Sequence, residues 1–177
     1  MTEPTDAELL LAHRAGDEAA FNALYRRHRD RLFLYARSRT RDDAAAEDLV
    51  HEAFLRAAQS WTSEKGAGSV ASFLFTVLHR LTIDRARSEE ARRRTQQGLR
   101  ERWIEAAEPG IDPLAIDELN RALRALPPEQ MEAVVLHIYG GLTFVEAAEV
   151  VGIPAKTMMS RYAYALDRLS ELMKGSG

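Results

Sequence analysis

Hydrophobic residues recur three and four positions apart along most of the chain, and no stretch shows the strict alternation of a half-buried strand. The pattern predicts a short first helix over 9–15, which Gly16 ends, and three longer helices. The apolar faces of these three lie within 21–36, 46–57 and 70–81. The sequence therefore predicts an all-α fold.

The helical pattern stops at 106–113, where the sequence AAEPGIDP contains two helix-breaking prolines and a glycine. We predict two small helical domains, at 1–105 and 114–177, joined by this linker. In the second domain Pro127-Pro128 ends one helix and starts another. That helix is predicted to turn four residues inward: Met131, Val134, Val135 and Ile138.

Two helices joined by a tight turn follow in the second domain. Thr143 and Glu146 form a capping box that begins the first helix, and Gly152 ends it. The second helix is predicted to bury Met158, Tyr162, Ala165, Leu166, Leu169 and Leu172. This order is typical of a helix-turn-helix, whose second helix presents its early residues to base edges. The outer residues fit that use or equally the solvated face of an ordinary helical hairpin: Lys156, Thr157, Ser160, Arg161, Tyr164 and Arg168.

Composition narrows the class of protein. The chain is 46% hydrophobic and 29% charged, without an apolar run near the roughly 20 residues that a membrane span needs. Its start, MTEPTDAELL, lacks the features of a signal peptide, so we expect a cytoplasmic protein without membrane insertion. It has no cysteine, and its five histidines are scattered without a ligand-like pair. We therefore expect no enzymatic activity, no metal and no cofactor.

Two sets of motifs resemble a known family. The run Ala46–Leu55 (AEDLVHEAFL), with SFLFTV at 72–77 and DRAR at 84–87, resembles region two of bacterial extracytoplasmic-function (ECF) sigma factors, which belong to the sigma-70 type. Leu126–Gln130, Gly141–Ala148 and Gly152–Pro154 resemble region four of the same family. The resemblance spans about 6–173, with the motifs in the expected order.

The resemblance implies a function in transcription initiation. Such proteins bind core RNA polymerase at the coiled coil of its largest subunit and at its flap. Their first domain opens the −10 element of promoter DNA, and their second recognises the −35 element as a duplex. They contribute no catalytic residues, and an anti-sigma factor is the expected inhibitory partner.

The resemblance also implies three sets of site residues. Polymerase contact is expected at Asp48, His51, Glu52, Phe54 and Leu55, although the family usually has Gln in place of His51. Contact with the −10 element is expected at Trp61, Ser63, Lys65, Phe73, Arg80, Arg85 and Arg87. Trp61 and Phe73 also continue apolar stripes, which favours a place in the core. Contact with the −35 element is expected at Thr143, Lys156, Thr157, Met159, Ser160, Arg161 and Tyr164.

Two other functions compete with this interpretation. A stand-alone helix-turn-helix regulator would bind its duplex site without polymerase. A sigma-like adaptor would not bind DNA at all, and the few positive charges of the second reading helix favour it. Net charge, at −3, provides no general attraction to nucleic acid.

Overall fold

The computed structural model describes residues 3–61, 69–93, 119 and 121–174. The chain forms two compact units, Met1–Gln97 and Gly98–Gly177. All regular secondary structure in the described ranges is helical, which confirms the predicted all-α fold. The predicted linker at 106–113 lies outside the described residues and stays a prediction.

The described residues of the first unit form four helices: α1 (Asp6–Arg14), α2 (Glu18–Thr40), α3 (Asp43–Ser60) and α4 (Val70–Arg93). Thr5 and Glu8 form a capping box, so α1 begins earlier than its apolar pattern predicted. Asp17 caps α2 by accepting hydrogen bonds from the backbone of the first turn.

The core of the first unit lies where α2 packs against the other three helices and α3 against α4. All six apolar residues predicted on the inner face of α3 are buried: Ala46, Leu49, Val50, Ala53, Phe54 and Ala57. The predicted apolar face of α4 is buried at Leu74, Leu78 and Leu81, but the buried arc extends beyond it. Phe75 is buried, with its ring edge-on to Tyr35, whereas Phe73 and Val77 are only half-buried. Because α4 contacts both α2 and α3, its buried arc is wider than a single stripe.

The second unit contains a short helical stretch at 121–124, then α5 (Pro128–Val134), a π-helix (Val135–Tyr139), α6 (Phe144–Val151) and α7 (Ala155–Lys174). The capping box of Thr143 and Glu146 is confirmed. Gly152 ends α6 with a φ of 79°, a left-handed conformation that favours glycine. The short α6, the turn and the longer α7 form the predicted helix-turn-helix.

Two predicted core positions of the second unit, Ile138 and Leu166, are exposed, and two more, Tyr162 and Leu172, are only half-buried. Ile138 is 54% exposed because the π-helix, in which the Gly140 N–H bonds the Val135 carbonyl at 2.8 Å, widens the turn and shifts the inner face. Leu166 is 45% exposed, because the face of α7 that packs against α5 and α6 buries Met158, Ala165 and Leu169 instead.

Throughout the described ranges, no helix combines the length and apolar character that crossing a membrane would need.

Candidate functional site

The outer side of α3 presents the polar residues that sequence analysis assigned to polymerase contact. Asp48, His51 and Leu55 are exposed and lie three and four residues apart, so they form one row along the helix. Glu52 is half-buried and accepts a hydrogen bond from Arg56 Nε at 2.7 Å. The helix therefore offers an acidic and apolar strip to a partner.

Phe54 does not belong to this strip. Its side chain is 1% exposed, and its ring packs against Tyr25 at 4.7 Å and Phe21 at 6.1 Å between centroids. The prediction that Phe54 contacts polymerase conflicts with this burial, because a core side chain has no free surface to offer. Phe54 supports α3 from the inside instead.

Helix α2 extends the α3 strip in a way that sequence analysis missed. A cavity of about 280 Å³ opens between the two helices, beside Asp48 and His51, and α2 lines it with Tyr25, Arg29 and Phe33. These three residues are spaced four apart, so the helical period could have placed them on one row. Apolar rings and both signs of charge meet here, which suits a partner with mixed side chains.

The aromatic residues assigned to the −10 element lie in or beside the core. Trp61 is 5% exposed, and its ring lies 6.3 Å from that of Phe73 and 6.2 Å from that of His13. Its carbonyl oxygen accepts a hydrogen bond from Arg14 Nε at 2.5 Å. The prediction that Trp61 stacks on a DNA base conflicts with this burial. The alternative prediction, a place in the core, agrees with it. Phe73 is half-buried and retains some free surface.

The positively charged residues assigned to the −10 element differ in how far their side chains are exposed to solvent. Arg80 and Arg87 are exposed and share one side of α4, with exposed Asp84 between them. Arg85 is half-buried, because it follows the buried residues Leu78 and Leu81 at helical spacing. Ser63 and Lys65 lie outside the described residues. The basic face of α4 is therefore narrower than predicted.

The outer face of α7 brings together the residues assigned to the −35 element. Exposed side chains begin in the first turn and continue to the third: Lys156, Thr157, Met159, Ser160 and Tyr164. Arg161 lies in the same region and is half-buried. The Ser160 hydroxyl donates to the Lys156 carbonyl at 3.0 Å, so it is engaged within the helix. Thr143 is exposed, but its hydroxyl takes part in the capping box of α6.

The outer face of α7 is unusually apolar for a DNA-binding surface. Met159 is 53% exposed and Tyr164 is 64% exposed, and neither contributes charge. Methyl groups of thymine in the major groove are natural partners for such side chains. The face thus combines two positive groups, Lys156 and Arg161, with an apolar surface.

Comparisons with known proteins show the family to which the chain belongs. A family model described as ECF sigma factor matches residues 5–175. The chain is 34% identical over 175 residues to the ECF RNA polymerase sigma factor SigM of Mycobacterium tuberculosis, covering 97% of this chain and 86% of that protein. It is 32% identical over 174 residues to the ECF RNA polymerase sigma factor SigK of Mycobacterium bovis, covering 93% of this chain and 92% of that protein.

A solved structure provides the same comparison in three dimensions. The chain is similar to the sigma factor RpoE of Bartonella quintana, which was solved in complex with the anti-sigma factor NepR. The TM-score is 0.71 at 27% identity, over 87% of this chain and 96% of that one. The chain therefore belongs to the ECF sigma factor family, and it functions as an RNA polymerase sigma factor in promoter-specific transcription initiation.

Proposed function

We propose that the two units divide the work of initiation between them. The first binds core RNA polymerase through the outer strip of α3 and engages the −10 element. The second recognises the −35 duplex through the outer face of α7. The observation that carries the proposal is that each unit has an exposed strip of polar and apolar side chains directly opposite its buried row: Asp48, His51 and Leu55 on α3, and Lys156, Thr157 and Tyr164 on α7.

Attachment to polymerase explains how α7 can recognise DNA although its outer face has few positive charges. The outer face of α7 has few cations, so its own attraction to phosphates is weak. Attachment of both units to one polymerase makes the second DNA contact effectively intramolecular, which raises its local concentration without new contacts. Recognition then depends on the fit to bases more than on charge.

The regulation of this activity is part of the proposal. The RpoE structure contains an anti-sigma factor, and we extend the same class of partner to this chain. The exposed strip of α3 is the surface an inhibitor would have to cover in order to block polymerase binding. The proposed location is the cytoplasm, where core polymerase acts, and the protein itself carries out no chemical step.

Run-off transcription tests the proposal directly. Purified protein is added to core polymerase and a library of promoter fragments, with core polymerase alone as the control. We expect the transcribed fragments to share two sequence elements separated by a fixed spacing. Sequence-specific duplex binding by the protein without polymerase would favour the stand-alone regulator. Core binding without any promoter preference would favour the adaptor.

A further inference from the structure

The π-helix at Val135–Tyr139 places a histidine at the entrance to the helix-turn-helix. His137 is half-buried, and its Nδ1 lies 2.8 Å from the carbonyl oxygen of Leu142. Since a carbonyl oxygen can only accept, Nδ1 carries the proton and donates. A side chain of the π-helix therefore holds the backbone of the segment that leads into α6.

The backbone of Leu142 is hydrogen-bonded through both its N–H and its carbonyl oxygen. Its N–H donates to the Leu136 carbonyl at 3.2 Å, while its own carbonyl accepts from His137. Its side chain is 2% exposed. The next residue, Thr143, is the N-cap of α6. The position and direction at which the first reading helix begins thus depend on the hydrogen bond from His137.

The ring of His137 also contacts both helices of the motif. It stacks on Phe144 in the first turn of α6, with centroids 4.1 Å apart and planes at 21°. It meets Tyr162 of α7 edge-on at 4.9 Å, and Phe144 and Tyr162 lie 5.2 Å apart. One imidazole therefore joins three elements, and Tyr162 directly follows Arg161 on the reading helix.

This junction has a functional consequence because base readout tolerates little displacement. Hydrogen bonds weaken steeply with distance and angle, so a reading helix must be held within about 0.5 Å of its working position. A π-helical turn is rare and is frequently found at functional sites. Here it brings His137 into contact with the start of α6 and the side of α7.

We infer that His137 is a positioning residue for recognition of the upstream promoter element: its hydrogen bond to Leu142 and its stacking with Phe144 and Tyr162 set the orientation of α6 relative to α7. The inference rests on the proposed function, in which α7 reads the −35 duplex. His137 itself acts through the two helices and need not touch DNA.

Two variants separate the contributions of the bond and the ring. His137→Phe keeps an aromatic ring for stacking but removes the donor to the Leu142 carbonyl. His137→Asn keeps an N–H donor of similar reach but removes the ring. Ile138→Ala is the matched control, because Ile138 lies next to His137 in the same π-helix and is 54% exposed. Each variant is assembled with core polymerase.

The measurement is the preference of each holoenzyme for a promoter with the intact −35 element over the same promoter with that element scrambled. We expect both His137 variants to lower this preference about tenfold and Ile138→Ala to leave it unchanged. Affinity for core polymerase and the thermal midpoint of the second unit are measured alongside. The positioning role requires that the preference for the −35 element falls in at least one His137 variant whose affinity for core polymerase and thermal midpoint match those of the wild type.

Three results would count against the inference. An unchanged preference in both His137 variants would mean that the ring only fills space. A loss confined to variants whose second unit has unfolded would reduce His137 to a folding role. If wild-type holoenzyme itself shows no preference for the −35 element, the proposed function fails, and the inference fails with it.

Discussion

His28 donates a hydrogen bond through Nε2 to Asp6 Oδ2 at 2.7 Å and so joins the first two helices of the chain. Arg27 binds the other oxygen of the same carboxylate at 2.6 Å. His28 is 3% exposed, and its Nδ1 has no hydrogen-bond partner among the described residues. Burial lowers the pKa of His28, against the raising effect of Asp6, and the charges of Arg31 and Arg27 lower it further.

The first prediction concerns the effect of low pH on the contact between His28 and Asp6. Because the pKa of His28 is lowered on folding, the unfolded state binds the proton more readily below its own pKa of about 6.5. The contribution of neutral His28 to the stability of the first unit is therefore complete above about pH 6.5, and it declines as the pH falls below that value. We expect the free energy of unfolding of the first unit to be smaller at pH 5.5 than at pH 7.5. Urea titrations can follow Trp61 fluorescence in a Trp103→Phe background.

His28→Gln is the control for that titration. Glutamine retains an N–H donor for Asp6 but has no group that titrates in this range, so its unfolding free energy should change less between the two pH values. Asp6 acts at lower pH: burial raises its pKa, but the hydrogen bond from Arg27 and the charge of His28 outweigh burial and lower the pKa below 3.8. Equal pH dependence in wild type and His28→Gln would show that another group is responsible.

The second prediction concerns Phe54 and Leu55, sequence neighbours on α3 of which the first is buried and the second is exposed. Phe54→Ala removes a buried ring and should destabilise the first unit by about 3–5 kcal/mol. Leu55→Ala changes a side chain that is 45% exposed and should alter stability by no more than about 0.5 kcal/mol. Thermal and urea unfolding of both variants check the contrast. Similar stabilities for the two would contradict the burial of Phe54.

Much of the fold follows from the helical period alone. On α3 the period assigns Phe54 to the buried row of Val50 and Ala57, and the structure agrees. Family resemblance placed the same residue at the polymerase surface, so the local pattern was the better guide at this position. The caps at Asp17 and Thr143 were also predictable, because a single side chain and its own backbone form them.

Other features depend on tertiary contacts that have no local signature. The π-helix is closed by the bond from Gly140 to Val135 and held by the bond between His137 and Leu142, and neither residue pair marks it in the sequence. The regular period therefore placed Ile138 inside. On α4 the period was correct but the width of the buried arc was not, since that width depends on how many helices pack against it.

The third prediction tests the outer strip of α3. Asp48→Asn removes one exposed negative charge without changing the size of the side chain. If Asp48 contacts polymerase, we expect the variant to bind core more weakly and to fold normally, with an effect that shrinks at high salt as screening increases. Competition for core against wild-type protein measures the change. Glu18→Gln, an exposed carboxylate at the start of α2, is the matched control and should bind as wild type does.

The fourth prediction concerns base recognition by Arg161. If its guanidinium bonds a guanine, Arg161→Ala should lower holoenzyme affinity for the preferred −35 sequence by about 1–3 kcal/mol and relax the choice of base at one position. Arg168→Ala is the comparison, because Arg168 lies two turns further along the same side of α7. Its loss should weaken binding to all sequences equally, as expected for phosphate contact. A uniform loss in Arg161→Ala would instead assign Arg161 to phosphate.

The fifth prediction concerns the turn between the two reading helices. Gly152 has a φ of 79°, and a Cβ added there meets no atom within 4 Å, so the cost of a side chain comes from the backbone alone. Gly152→Ala should therefore destabilise the second unit by about 1–2 kcal/mol. Gly152→Asn should cost less, because asparagine tolerates the left-handed conformation better. Amide hydrogen exchange in α6 and α7 reports the stability of this unit in the whole protein. Equal exchange rates in the two variants would mean that the left-handed backbone is not what selects glycine, since steric crowding around the Cβ is absent for both.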